Sequence, residues 1–303
     1  MTRDPFACDG PTLINVSGGR SSMYMLRRTL DAHGGRLPRE AHAVFTNTGR
    51  ERAETLAFVA ECAATWGVAI VWLERDGSQP SGARFRETDY EHASRNGEPF
   101  AELIAERKYV PNAVTRFCTS ALKIDVARDW MRARGYERWT SVLGLRRDEP
   151  SRVARVRGRE DAGWDVACPL YDARITKADV TAWWARQVFN LALEPWQSNC
   201  DLCPLKRRAE LERAIRDDDS VADWWIAMER AVGATFRKDE PRGYEGMRER
   251  VRRLPMLAFA SSDDEAVTPC NCTDRVRRRR CTCGKRRGEG HALACGMVLG
   301  RAA

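Results

Sequence analysis

The sequence predicts an α/β protein built on a doubly wound parallel sheet, with a helical C-terminal extension and a Cys- and Arg-rich tail. Three observations carry this. Short apolar runs alternate with helix-compatible stretches from Thr12 to Leu143, the pattern of a parallel sheet with right-handed crossovers. Those runs end in loops such as Ser17-Gly18-Gly19 and Thr48-Gly49-Arg50-Glu51, and ligands of such sheets bind at the carboxyl ends of the strands. From Ser261 the apolar periodicity stops and cysteines and arginines dominate.

The first strand is Thr12-Leu13-Ile14-Asn15-Val16, followed at once by Ser17-Gly18-Gly19 and a helix with Met23, Leu26 and Leu30 on one face. Its glycines allow close backbone approach, while Ser17, Ser21, Ser22 and the helix start supply hydroxyl and N–H donors for a phosphate or sulfate. Strand-Gly-Gly-helix turns also occur as plain connections, so the neighbouring loops decide. The second strand, His42–Asn47, runs into Thr48-Gly49-Arg50-Glu51; a helix from about Ala53 to Trp66 and a third strand over Val68–Leu73 complete β-α-β-α-β. The two loops, with Gly, hydroxyls and Arg, favour a nucleotide over a bare connection.

Residues 74–110 are polar and rich in Gly and Pro, which predicts a long irregular connection with a short helix near Phe100–Arg107. Thr115-Arg116-Phe117-Cys118-Thr119-Ser120 precedes a helix from about Ala121 to Arg134, whose start presents Cys118 and Arg116 to the same edge. A fourth strand, Trp139–Leu143, leads into a loop carrying Arg146, Arg147, Arg152 and Arg155, forked donors suited to phosphate or sulfate oxygens. Trp164–Tyr171 reads as a connection to a capped helix starting at Thr176. Cys200-Asp201-Leu202-Cys203 stands at a helix entrance, with two thiols spaced to share one metal or cluster. Trp224, Trp225 and Met228, and later Tyr244 to Leu254, belong to helices packing beside it, the tryptophans as core; Phe236-Arg237-Lys238-Asp239 between them reads as a basic loop near the site. In the tail, Cys270 with Cys272 and Cys281 with Cys283 form two Cys-x-Cys pairs around Arg275 and Arg277–Arg280, a set suited to zinc and to nucleic-acid contact or a soluble tail.

The 51 Lys and Arg against 43 Asp and Glu give a formal charge of +8, which favours an anionic partner without naming one. No run approaches the ~20 apolar residues of a membrane span, and no signal-like stretch opens the chain. A cytoplasmic, membrane-free protein is expected, with its 11 cysteines acting as thiols rather than disulfides.

The ordered set Ser-Gly-Gly-x-x-Ser, Asn-Thr-Gly-x-Glu, Arg-Phe-Cys-x-x-x-Leu-Lys and Gly-x-Arg-x-x-Glu resembles the phosphoadenosine phosphosulfate (PAPS) reductase family, over about Thr12 to Ile215. That family lies within the adenine-nucleotide α-hydrolase-like (HUP-type) group, with the N-type ATP pyrophosphatases. The resemblance implies a nucleotide domain over residues 1–190, a helical extension over 191–260 and the tail over 261–303. It places Ser17, Gly18, Gly19, Arg20, Ser21 and Ser22 in the pyrophosphate loop, and Asn47, Thr48, Gly49 and Glu51 in a second nucleotide-contacting loop. Arg146 and Arg152 face the anionic end of the nucleotide, ATP or PAPS, with magnesium for ATP. One departure stands out: ATP-cleaving members read Ser-Gly-Gly-x-Asp-Ser, and Ser21 holds the Asp position.

Two chemistries follow from the resemblance. In one, ATP activates an oxygen of a nucleic acid (tRNA or DNA) or a metabolite, pyrophosphate leaves, and sulfur passes through an iron–sulfur centre on Cys118, Cys200 and Cys203. In the other, a thiolate reduces PAPS to sulfite with a thioredoxin-like reductant. Reductases of that kind carry Glu-Cys-Gly-Leu-His near the C-terminus, and Ala294-Cys295-Gly296-Met297 lacks both the Glu and the His. The sulfur-transfer reading is therefore preferred. A third reading keeps the fold as a nucleotide- or DNA-binding module without catalysis.

Overall fold

The computed structural model describes residues 4–158 and 163–253, which belong to one compact unit, 1–253. Six strands form one sheet: β1 Thr12–Val16, β2 Ala41–Asn47, β3 Ile70–Glu74, β4 Arg86–Thr88, β5 Thr140–Leu143 and β6 Asp165–Ala167, in the order β4-β3-β2-β1-β5-β6. Every neighbouring pair is parallel except β3 and β4. The chain winds outward from β1 to β3, then crosses back to place β5 on the other side of β1. That reversal opens a crevice at the carboxyl ends of β1 and β5, where α/β sheets bind ligands.

The helices cover both faces of the sheet. On one, α1 (Arg20–Ala32), α2 (Ala53–Trp66) and α8 (Lys177–Trp184) bury Met23, Leu26, Leu30, Phe58 and Trp184 against Ile14, Val16 and Phe45. On the other, α5 (Asp125–Ala133) lays Val126, Trp130 and Met131 over Leu13, Val44 and Leu73. A third core joins α3 (Glu98–Arg107) to α9 (Arg208–Asp217), α10 (Val221–Val232) and α11 (Gly243–Arg253) through Phe100, Leu122, Leu211, Trp225, Phe236 and Tyr244. Residues of α9, α10 and α11 thus share a core with α3 and with Leu122 beside the sheet.

Several local expectations are revised. The stretch after Glu74 contains β4, held in antiparallel register with Trp72–Glu74; the buried Glu74 carboxylate accepts from Arg86, Asn47 and Ser94. With three residues, β4 has no periodicity to read. The same shortness hides β6 in the segment read as a connection, where it precedes α7 (Pro169–Asp172). The arginine loop winds into α6 (Pro150–Arg157), which buries only Val153 and so has no apolar stripe. The third strand starts at Ile70 and ends at Glu74. The helix expected from Ala121 is three pieces: α4 (Phe117–Thr119), a π-helical turn over Ser120–Ile124, and α5. Among the described residues, no helix is long and apolar enough to cross a membrane.

Candidate active site

The crevice at the β1–β5 switch is a cavity of about 710 Å³, within the range of small-molecule sites. Its floor is the loop after β1. Gly18 adopts φ +73° and packs so tightly that a Cβ there would meet Thr55 Cγ2 at 2.4 Å. The Ser22 hydroxyl closes the loop, accepting from Ser17 N at 3.1 Å and donating to Gly19 O at 3.0 Å. Helix α1 follows with no side-chain cap and no acidic residue in its first turn, leaving its N–H donors and dipole for an anion. Gly144, at the exit of β5, comes so near α1 that its Cβ would lie 2.9 Å from Ser22 Cα; only glycine permits that approach.

Arg20, Arg146, Arg152 and Lys177 line the cavity with Glu149 and Glu194, four cations against two carboxylates. Arg146 donates from Nη1 to Ser21 Oγ at 2.8 Å and is braced by Asp148 at 3.1 Å and Glu149 at 3.1 Å. The guanidinium therefore stands over Ser21 in the loop after β1. Arg152 pairs with Glu149 but its side chain is 62% exposed, so it forms the rim. Arg20 is spent on structure: it donates to Asn190 Oδ1 at 2.8 Å and to Leu191 O at 2.6 Å, fixing the cavity's far wall. Lys177 and Asn199 are wall residues that carry no recognisable sequence signal. A second cavity of about 610 Å³ on the α5 face shares Asn15, Leu143 and Val156 with the first and holds the stacked Trp139–Trp164 pair.

The second loop is placed differently from expectation. Asn47, Thr48 and Glu51 are buried and none of Asn47, Thr48, Gly49 and Glu51 lines the cavity. Asn47 donates to Glu74 and Ser94. Glu51 accepts from Thr48 N and Oγ1, both at 2.8 Å, and from Lys123 Nζ at 3.1 Å. This loop meets the thiol segment: Glu51 bridges Cys200 as an antiparallel pair, Arg52 N donates to Asn199 O at 2.7 Å, and Arg50 pairs with the Asp201 carboxylate.

Lys123 lies within electrostatic reach of both Cys118 and Cys200, and Cys203 within reach of the same two thiols. The Cys200–Cys203 loop is pinned by Tyr244 Oη donating to Leu202 O at 2.6 Å, Trp225 Nε1 to Asp201 at 2.8 Å, and Arg237 to Lys206 O at 2.7 Å. The stretch around Arg237 is thus a brace for the thiol loop, while Phe236 and Trp225 are core. The π turn beside Cys118 orients Lys123, and such turns frequently mark functional positions.

Burial raises the thiol pKa of Cys118 and, more strongly, that of Cys200, whose neighbour Glu51 raises it further; Lys123 opposes both effects without overcoming them. This corrects the expectation of thiolates favoured by Arg116 or Lys206; the Lys206 ammonium instead donates to Trp196 O. In iron-free protein both cysteines should alkylate more slowly than a free thiol at pH 7–9, because the thiolate reacts and the raised pKa keeps the proton on. Peptide mass spectrometry after timed iodoacetamide treatment measures this; free-thiol rates at pH 8 would contradict it.

The thiols fit iron–sulfur ligation by donor chemistry. Among the described residues, no group of three or more His, Cys, Asp or Glu side chains is placed to hold a metal ion, and that includes Cys118, Cys200 and Cys203. The proposed zinc ligands Cys270, Cys272, Cys281 and Cys283, and the Cys295 segment, lie outside the described residues.

No family model matches the chain. It is 29% identical over 216 residues to the uncharacterized nin region protein ORF290 of Escherichia phage lambda, covering 69% of this chain and 71% of that protein. Among solved structures it is similar to phosphoadenylyl-sulfate (PAPS) reductase from Candida auris, in a phosphate complex, with TM-score 0.37 and 13% identity over 60% of this chain and 75% of that one. It is also similar to the U34-tRNA thiolase NcsA from Methanococcus maripaludis with its [4Fe-4S] cluster, with TM-score 0.34 and 12% identity over 84% and 76% of the two chains.

Proposed function

We propose that the chain is an adenine-nucleotide enzyme of sulfur chemistry, transferring sulfur to an acceptor that ATP has activated. One observation carries this: the segment bearing Cys200 and Cys203 is tied to the phosphate loop through Asn199 and to the second loop through Glu51 and Arg52. A thiol-bearing segment that adjoins an anion cavity through Asn199 suits a reaction that joins sulfur to a nucleotide-activated carbon.

The acceptor oxygen attacks the α-phosphorus of ATP, and pyrophosphate leaves with its charge held by the α1 N-terminus, Arg146 and Arg152. A sulfur nucleophile then displaces AMP from the acceptor. Cys118, Cys200 and Cys203 would hold an iron–sulfur cluster, which supplies an open iron to carry sulfide. Lys123 provides the positive charge beside those thiols. Tail arginines and the Cys-x-Cys pairs would recruit a nucleic-acid acceptor.

The test is anaerobic purification with iron and sulfide assay, then pyrophosphate release from ATP and magnesium. Serine at Cys118, Cys200 or Cys203 should each lower cluster content and abolish turnover. Iron-free parent protein with active serine variants would remove the reading. Arg146→Lys should weaken nucleotide binding by about 1–3 kcal/mol, since it loses the planar fork that grips Asp148 while Nη1 reaches Ser21, whereas Arg152→Lys at the exposed rim should change it by less than about 1 kcal/mol. Calorimetry separates the two.

A second reading has its own observation. Arg146 on Ser21 places a guanidinium where a carboxylate would hold metal, which suits PAPS, whose sulfonate needs no magnesium. Sulfite formation from PAPS and reduced thioredoxin would favour this route, and binding without either turnover would leave a binding module.

A further inference from the structure

Residues 198–201 are held at several points, and only one contact reaches the phosphate loop. Ser198 Oγ donates to Cys200 O at 2.7 Å, Asn199 O accepts from Arg52 N at 2.7 Å, and Asp201 is clamped by Arg50 and Trp225. These fix the segment to the loop that enters α2 and to α10. The Asn199 side chain alone turns the other way. Its amide donates to Ser17 O and lies across the loop, 3.7 Å (Nδ2) and 3.8 Å (Oδ1) from where a Gly19 Cβ would stand, at the cavity wall.

We propose that Asn199 is a positioning residue that registers the Cys200 loop on the phosphate loop, so that anion binding over Ser17–Ser22 and the reactivity of Cys200 are coupled through it. The physical basis is the amide's two donor hydrogens. One is used on Ser17 O. An anion in the cavity attracts the other and polarises the Ser17–Gly18 peptide, tightening the first bond. The next residue is Cys200, whose backbone is paired with Glu51, so a shift of Asn199 cannot be absorbed before it reaches the thiol. Coupling of this kind is reciprocal and commonly amounts to a factor of about five or more. The inference rests on the nucleotide reading above.

The experiment uses the full chain prepared free of iron, so that Cys200 is open to alkylation, with ATP, PAPS and inorganic pyrophosphate as probes. Calorimetry gives affinity, and mass spectrometry gives the iodoacetamide rate at Cys200 with and without saturating probe. In the parent protein a bound probe should change that rate about fivefold or more. In Asn199→Ala the probe should still bind, more weakly, and the change should vanish. Asn199→Asp keeps the shape but sets an acceptor against Ser17 O and the anion, and should lose both. Thermal melts confirm that each variant is folded; if Asn199→Ala is not, Asn199→Ser, which retains a donor too short to reach Ser17, replaces it. Coupling that persists in the variants overturns the role of Asn199 while leaving nucleotide binding intact. No binding of any probe to the parent protein overturns the nucleotide reading and the coupling with it.

Discussion

Replacing Gly18 with alanine is expected to destabilise the protein by about 2–5 kcal/mol and to abolish anion binding. Two effects add. The residue sits at φ +73°, where a side chain costs about 1–2 kcal/mol. Its new Cβ would also fall 2.4 Å from Thr55 Cγ2 and 3.3 Å from Phe45 and Val59, overpacking that costs about 1–3 kcal/mol. Thr55 and Val59 belong to α2, so the loop would have to lift away from the helix, carrying its donors with it. Gly19 is the contrast. Its φ of −98° is ordinary and a Cβ would find nothing closer than 3.7 Å, so Gly19→Ala should stay near parent stability. Urea unfolding of both variants, with calorimetry for binding, checks this; equal midpoints would show that the loop is not packed on α2 as described.

Glu51→Ala should unfold the protein more easily by about 2–3 kcal/mol, a loss of stability before any loss of ligand contact. The carboxylate is buried and satisfies the Thr48 N–H, the Thr48 hydroxyl and the Lys123 ammonium. Removing it orphans two buried donors and one cation. Breaking a fully buried ion pair costs about 3–5 kcal/mol, and Lys123, with 32% of its side chain exposed, recovers part of that through water. Lys123→Met in the Glu51→Ala background should restore part of the loss, since no charge is then left without a partner. A Glu51→Ala protein with the parent's unfolding midpoint and weakened nucleotide binding would return Glu51 to the ligand-contacting role.

The parallel sheet, the loop after β1 and the starts of α1, α2 and α8 were legible because each rests on local periodicity or on a short run of chemistry, whereas the helix entrance expected at Cys200–Cys203 is a loop and α9 starts only at Arg208. Leu13, Ile14 and Val16 before Ser17-Gly18-Gly19 state a strand and its loop within one window, and Met23, Leu26 and Leu30 state the buried face of α1. Short elements were not legible. β4 and β6 have three residues each and are held by partners far away in sequence, Glu74 and the edge of β5. In α6 a single buried residue, Val153, gives no period to detect.

The sequence by itself determined which groups are available: hydroxyls, glycines and arginines suited to an anion, and, among its cysteines, Cys118 and the Cys200–Cys203 pair. Which groups meet was decided by the tertiary structure. The arginine after β5 reaches Ser21 because the sheet reverses at β1 and sets β5 beside it. Asn199 reaches Ser17 across 182 positions of chain, and Glu51, expected at the ligand, instead faces Lys123 and Cys200. The reason is burial: a carboxylate out of water takes the nearest cation and N–H groups, and those arrive from segments whose proximity no local pattern records.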